Sequence, residues 1–228
     1  MKQSFLFVNL GLPSGTCWAD RNILANNQFD CGAFLSYRSL FNPEAAGSDH
    51  FLILGPRTPD VIFQTEMKFV PLSELFGLIG SLALCIPTEE QMNELVSGCT
   101  WKSCDTPKGW GFEATSRYNG NSIFFPACGW YSDETMQDLS KIQRSYEAGF
   151  FSDDERFNHL ISEEAWANAG DPFRCRYLTR STDSRFVPLG WSGGTRALRV
   201  IGNQQQAYAT IATFSRDLWM PIRPALSL

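Results

Sequence analysis

The chain has 228 residues, 43% of them hydrophobic and 19% charged, with a net charge of -5. That balance belongs to a folded globular protein and excludes a mainly disordered one. The acidic sign, with no five-residue basic run, argues against a nucleic-acid footprint, which needs clustered Lys and Arg against phosphate.

Residues 4–10 read as an opening strand, and Leu12-Pro13-Ser14-Gly15 as a turn by composition. Cys17 to Ile23 return as extended chain or a short turn, and Phe34-Leu35-Ser36-Tyr37 is an apolar and aromatic stretch. From Ser39 to Pro59 the density of Asn, Pro, Gly and Asp predicts a long irregular loop, followed by a short strand at Val61-Ile62-Phe63. Leu72, Leu75, Phe76 and Ile79 fall at i, i+3, i+4 and i+7, one face of a helix. Gly77 and Gly80 weaken that helix by up to about 1 kcal/mol each relative to Ala.

Thr88-Glu89-Glu90-Gln91 is a capping box: the Thr88 hydroxyl accepts the amide three residues on, and Gln91 reaches back. Glu89 and Glu90 place negative charge in the first turn, where the helix dipole favours it. Met92, Leu95 and Val96 form the apolar stripe. The pattern predicts a helix over 88–97, ended by Gly98 in a left-handed conformation. A hairpin follows, with strands at 112–117 and 122–125 around an Asn119-Gly120 type I′ turn; Pro126 ends the pairing. Residues 133–168 read as polar helix, with Met136, Leu139 and Ile142 on one face and Phe157, Leu160 and Ile161 on another. Strands return at 174–178, 197–201, 207–214 and 219–222, with turns at 202–205 and 215–217. Strands grouped late and helices earlier make the class α+β.

The apolar stretch from Leu72 to Ile86 is broken by Ser73, Glu74, Gly77, Gly80 and Ser81, too short and too polar to span a bilayer. No membrane insertion is expected. Met1 to Val8 runs directly into the Leu10–Ile23 segment, so the expectation is a soluble protein made in the cytoplasm without a signal peptide. The seven cysteines contain no C-x-x-C pair, and Cys99 and Cys104 lie five apart, not a zinc-knuckle spacing. They read as buried reduced thiols, with a Cys99–Cys104 disulfide as the alternative for a protein acting outside the cell.

Catalytic patterns are missing from the sequence. His50 and His159 have no sequence link to a Cys or Asp partner, and no G-x-S-x-G, P-loop or H-E-x-x-H string occurs. Asp153-Asp154-Glu155 reads as a solvated helix start rather than a metal site. No cofactor and no metal are expected. Trp191, in Gly190-Trp191-Ser192-Gly193-Gly194, lies in a flexible context that presents a ring to solvent or a partner.

Five segments, taken in order, resemble one known family: Asn9 to Ile23 (with Leu10-Gly11-Leu12-Pro13-Ser14-Gly15-Thr16), Ile86 to Leu95, Gly120 to Ala127, Arg176 to Thr182, and Ile222-Arg223-Pro224. They are similar to the Fibrobacter succinogenes major paralogous domain family, over roughly residues 9–226. Leu84-Cys85-Ile86 stands where that family commonly has Trp-Arg, and residues 39–70 and 131–170 diverge from it. The resemblance implies a C-type-lectin-like fold: α+β, with a twisted antiparallel sheet, two or more helices and long loop insertions. It implies one domain over 1–228, with insertions near 39–70 and 131–170. Trp18 and Trp219 would be structural, and Arg223 would fix the terminal strand through backbone or carboxylate bonds.

The resemblance also implies a function class. It points to a non-catalytic binding or assembly module, in its most concrete form a virion protein associated with a phage fibre or tail. Its partner would be a protein or glycan on a host surface, or other subunits of a larger assembly; a homo-oligomer is compatible with either. The Glu-Pro-Asn, Gln-Pro-Asp and Trp-Asn-Asp triplets of calcium-dependent lectins are missing; Asn42-Pro43-Glu44 reads as a turn. Ligand contact in retroelement relatives comes from the C-terminal strands, here 195–219. The candidates are Arg196, Arg199, Asn203, Gln204, Gln205, Gln206, Tyr208 and Arg216, together with Trp191. A polar hairpin tip with no partner stands beside that reading. The alternative function is an enzyme of the sulfatase-modifying, formylglycine-generating type, whose C-terminal cysteine pair has only Cys175 as a counterpart here.

Overall fold

The computed structural model describes residues 4–41, 50–56, 68–71, 86–106, 108–128, 173–184, 194–202 and 206–227. In chain order the elements are β1 (Phe7–Asn9), β2 (Cys17–Ala19), β3 (Asp30–Ser36), α1 (Tyr37–Phe41), β4 (His50–Pro56), β5 (Lys68–Pro71) and α2 (Glu89–Gly98). They continue with β6 (Cys99–Thr106), β7 (Gly109–Ser116), β8 (Ser122–Pro126), β9 (Phe173–Asp183), β10 (Gly194–Gly202), β11 (Ala207–Ser215), β12 (Trp219–Pro221) and β13 (Ala225–Leu226). Among the described residues the strands form four small sheets, in the orders β1-β2-β13, β12-β3-β4-β5, β6-β7-β8 and β11-β10-β9, and every pairing among them is antiparallel. The class is therefore α+β and sheet-rich. Among the described residues no helix is long and apolar enough to cross a membrane.

The beginning and end of the chain are woven together. β2 pairs with β13, and β3 pairs with β12. Between these ladders the Ile23 amide donates to the Ile222 carbonyl at 3.1 Å, and the Ala19 amide to the Pro224 carbonyl at 2.9 Å. β3 is buried along its whole length, which explains its run of small and apolar residues in place of a polar alternation. Gly32 sits in it at φ +73°, and a Cβ there would lie 2.3 Å from the Ile23 carbonyl oxygen. Only glycine serves at that close approach.

β9, β10 and β11 separate two parts of the core. Leu178, Ala197 and Phe214 face one cluster with Phe34, Leu35, Trp219 and Met220. Cys175, Tyr177, Leu198 and Val200 face the other, with Leu10, Trp18, Met92, Leu95, Phe112 and Phe125. A strand buried on both faces has no reason to alternate apolar with polar residues, and β10 does not over Ala197 to Ile201.

α2 begins as expected. Thr88 is its N-cap and both bonds of the capping box are made, Gln91 amide to Thr88 Oγ1 at 3.3 Å and Thr88 amide to Gln91 Oε1 at 2.9 Å. The Gln91 Nε2 then donates to Thr16 Oγ1 at 3.2 Å and to Ser227 Oγ at 2.9 Å. One capping side chain thus ties the helix to the first turn and to the C-terminal segment.

Several local expectations are corrected. Gly98 closes α2 as a helical residue, and the extended Cys99 is the C-cap. The glycine is there for space: a Cβ would lie 2.5 Å from Leu12 Cδ2 and 3.1 Å from Tyr118 Cε2. The turn after β7 is not type I′, since Gly120 has φ +76° but Asn119 does not have positive φ. It is a longer turn: the Ser116 amide donates to the Asn121 carbonyl, and the Asn119 and Asn121 amide groups both donate to the Asn9 carbonyl. The irregular loop expected over 39–59 contains the end of α1 and the whole of β4. The apolar run Phe51 to Leu54 outweighs the surrounding turn formers because β3 offers it a partner. β4 and β5 extend the sheet of β3. β6 was not foreseen, and β9 is longer than expected. The helices expected at 72–79 and 133–168, the strand at 61–63 and the 131–170 insertion lie outside the described residues.

Candidate functional site

The cross-strand register of β9–β10–β11 sorts the candidate residues by face. Ala197, Arg199 and Ile201 on β10 stand beside Ala212, Thr210 and Tyr208 on β11. Arg199 is also opposite Arg176 on β9. This face enters the core at Ala197 and leaves it toward Tyr208. Its outer end carries Arg199, half-buried, then Thr210 and Gln206, exposed, and Tyr208, 55% exposed. The Tyr208 hydroxyl donates to Gln206 Oε1, so the two share one orientation. At the core end the Arg176 guanidinium lies 4.0 Å from the centre of the Phe214 ring, a cation–π contact in a buried setting. The opposite side of β11, with Ala207, Ala209 and Ile211, packs onto the core.

Arg196 belongs elsewhere. Its Nη2 lies 2.7 Å from Glu89 Oε1 at the start of α2, and its Nη1 donates to Thr213 Oγ1 at 2.6 Å. Thr213 Oγ1 donates onward to Asp183 Oδ2 at 2.8 Å. The register of β9 on β10 shifts between Thr195 and Ala197. The irregular stretch of β9 receives the helix start: the Glu89 amide donates to Ser181 Oγ at 2.9 Å and the Arg180 amide to the Pro87 carbonyl at 3.0 Å. Arg196 therefore holds α2 onto the sheet, on the face away from Arg199 and Tyr208.

Arg216 is also separate. It follows β11, and its guanidinium sits 5.4 Å from the Tyr37 ring centre beside an Arg38–Asp217 ion pair of 2.9 Å. Burial pushes the Tyr37 hydroxyl pKa up, against the opposing pull of Arg216. Eight residues of extended chain place Arg216 about 26 Å from Tyr208, so one small ligand does not touch both. Trp191, Asn203, Gln204 and Gln205 lie outside the described residues.

Of the sequence-predicted set, the structure brings together Arg199, Gln206 and Tyr208. It adds Thr210, which sequence reading missed although Tyr208 and Thr210 alternate with Ala207, Ala209 and Ile211 in plain view. The combination offers a cation, an aromatic ring and adaptable hydrogen-bonding groups. It contains no nucleophile with an adjoining base. Among the described residues no group of three or more His, Cys, Asp or Glu is arranged to hold a metal.

The cysteines are placed for packing. Cys17, Cys31, Cys99, Cys128 and Cys175 are buried, and the described cysteines are unbridged. Cys99 and Cys104 lie on one strand, β6, about 16 Å apart by strand rise, well beyond the roughly 7 Å between Cα atoms that a disulfide spans. The alternative of a Cys99–Cys104 disulfide therefore does not fit an intact β6. Burial pushes the Cys99 thiol up to about 11, and raises Cys104, Cys128 and Cys175 as well.

Arg223 gathers four of the five segments of the sequence resemblance. It is wholly buried, and its Nη1 donates to the Ala19 carbonyl at 3.0 Å while Nη2 donates to the Phe124 carbonyl at 2.6 Å. Its guanidinium lies 4.9 Å from the Phe125 ring centre. Among the described residues it has no carboxylate partner, so the expected anchor is made through backbone oxygens. Burial lowers its pKa and the neighbouring Tyr177 opposes that shift. Segments around residues 19, 124, 177 and 223 thus meet at one side chain. No family model, curated protein or solved structure matches the chain.

Proposed function

We propose that this protein is a non-catalytic binding or assembly module of C-type-lectin-like fold, which meets its partner with the outer end of β10 and β11. The observation that carries the reading is the exposed pair Tyr208 and Thr210 beside Arg199, with Gln206 bonded to Tyr208, on a strand whose other side is packed into the core. Tyrosine and arginine are common anchors of protein interfaces, and side chains such as Gln and Thr supply adaptable hydrogen bonds. The rigid sheet beneath holds them without an ordering cost. The fold assignment is supported by the convergence of four of the five resembling segments on Arg223.

The partner class follows the same reasoning: a protein or glycan on a cell surface, or another subunit of a virion-like assembly. The sulfatase-modifying reading needs an accessible thiol of low pKa, and burial raises the Cys99, Cys104, Cys128 and Cys175 thiols instead.

The test is co-sedimentation of the protein with the native particles or cells of its source, comparing wild type with a Tyr208→Ala/Thr210→Lys double variant. The expected result is that wild type sediments with the large assembly, while the variant stays in the supernatant with an unchanged melting curve. A wild-type chain that runs as a free monomer and sediments with neither particles nor cells sinks the proposal.

A further inference from the structure

We propose that Asn119–Gly120 is a self-modification site: Asn119 deamidates through the backbone nitrogen of Gly120, the native turn restrains that reaction, and its product unties the β7–β8 turn from the end of β1. The chain has one Asn-Gly dipeptide, and both of its residues are exposed. Glycine carries no Cβ, so its nitrogen is the least shielded that can follow an asparagine. The surroundings of Gly120 are open as well, since a Cβ placed there would meet nothing within 4 Å.

The Gly120 nitrogen attacks Asn119 Cγ. A bond forms between that nitrogen and Cγ, the bond from Cγ to Nδ2 breaks, and Nδ2 leaves as ammonia with the proton of the Gly120 amide. The product is a cyclic imide. Water then opens the ring. Attack at the former side-chain carbonyl gives aspartate; attack at the main-chain carbonyl gives isoaspartate, in which the chain runs through Cγ. The net change exchanges an amino group for a hydroxyl, with water as the co-reactant and no change in oxidation state.

The native turn occupies both reacting groups. The Gly120 amide donates to the Ser116 carbonyl at 3.2 Å. The Asn119 carboxamide is tied at both ends: Oδ1 accepts the Asn121 amide at 3.0 Å, and Nδ2 donates to the Asn9 carbonyl at 3.0 Å. Gly11 makes room for that amide group, because a Cβ there would lie 3.1 Å from Nδ2. Reaction in the folded protein therefore waits on a local opening that breaks the Ser116 and Asn9 bonds.

The consequence lies in the lost donor. An ionised carboxylate only accepts hydrogen bonds, so the product sets a negative oxygen against the Asn9 carbonyl. The Asn121 Nδ2, 2.8 Å from the same oxygen, and the Ser116 hydroxyl on the Leu10 carbonyl are left to hold the turn. Isoaspartate also lengthens the main chain of the turn by one carbon. Ammonia is lost, so the bond to Asn9 does not return.

The experiment incubates the whole protein in warm, mildly alkaline buffer, with and without urea, and maps the asparagines of a digest over time by mass spectrometry. In the folded protein Asn119 is expected to convert before Asn9 and Asn121, and about tenfold or more slowly than in urea. Conversion of Asn9 or Asn121 first, or an Asn119 rate unchanged by urea, overturns the proposal. The Asn119→Asp variant is expected to melt about 2–4 °C below wild type. An unchanged midpoint shows that deamidation unties nothing and overturns the consequence drawn from it. The wild-type rates decide the site even if the variant fails to fold.

Discussion

Arg196 Nη2 and Glu89 Oε1 lie 2.7 Å apart, across the seam between β10 and the first turn of α2. The two side chains are 16% and 26% exposed, so the pair is screened by protein on most sides. Arg196 ties the sheet to the helix start in this arrangement. Replacing it by Met strands Glu89 and part of the Asp183–Thr213 chain. The expected loss is about 1–2 kcal/mol of stability, read from urea unfolding midpoints. A double-mutant cycle with Glu89→Gln is expected to show coupling of about 1 kcal/mol. Strict additivity would mean that the two residues do not interact.

Arg223→Lys is the harsher change. A single ammonium does not reach both the Ala19 and Phe124 carbonyls, and its charge is more strongly hydrated than a guanidinium. Burial without those bonds is expected to cost about 3 kcal/mol or more. The check is calorimetric melting beside wild type. A shift of a degree or less would show that the buried guanidinium is not what joins these segments.

Tyr208→Ala tests the opposite kind of residue. With the ring 55% exposed, its removal is expected to change stability by no more than about 0.5 kcal/mol. Association with a partner is expected to weaken by about tenfold or more. If stability falls and association stays, the residue is packing and the candidate surface is wrong.

Two glycines separate space from backbone conformation. Gly120→Ala adds a Cβ with nothing within 4 Å but at φ +76°, and is expected to cost about 1 kcal/mol. Gly32→Ala combines φ +73° with a Cβ 2.3 Å from a backbone oxygen, and is expected to cost several times more, about 3–5 kcal/mol. Equal melting curves for the two variants would contradict the close approach at Gly32.

The Cys99 thiol gives a pH prediction. Burial raises it from an ordinary 9.0 to about 11, so the folded state favours the protonated form. Its contribution to stability is full below pH 9 and is lost as pH rises toward 11. Alkylation of Cys99 in the native protein is expected to inflect near pH 11. An inflection at or below pH 9 would mean that the thiol is not buried in solution.

Local signals were legible where neighbours in sequence do the work. The bonds of Thr88 and Gln91 span three residues, so the capping box and the start of α2 needed no tertiary knowledge. The late strands were visible in their apolar runs, and buried Trp18 and Trp219 in their motif positions. The turn at Asn119-Gly120 failed as a type I′ reading because Asn119 is recruited by the distant Asn9 carbonyl. β4 hid among turn formers because its pairing with the preceding strand β3 reaches beyond a local window of sequence.

Composition and pattern by themselves determined a folded acidic chain of α+β class, its one clear capped helix, and the late strands that include the candidate β10–β11 hairpin. Only the tertiary structure decided which arginine does what. Arg196 and Arg199 are three apart on one strand, and alternation across the sheet sends the first to α2 and the second to the Tyr208 face. Likewise only the fold carries Arg223 to Ala19 and Phe124. Those contacts cross many tens of residues, and the free energy that selects them comes from shared burial and strand register, which no local window of sequence contains.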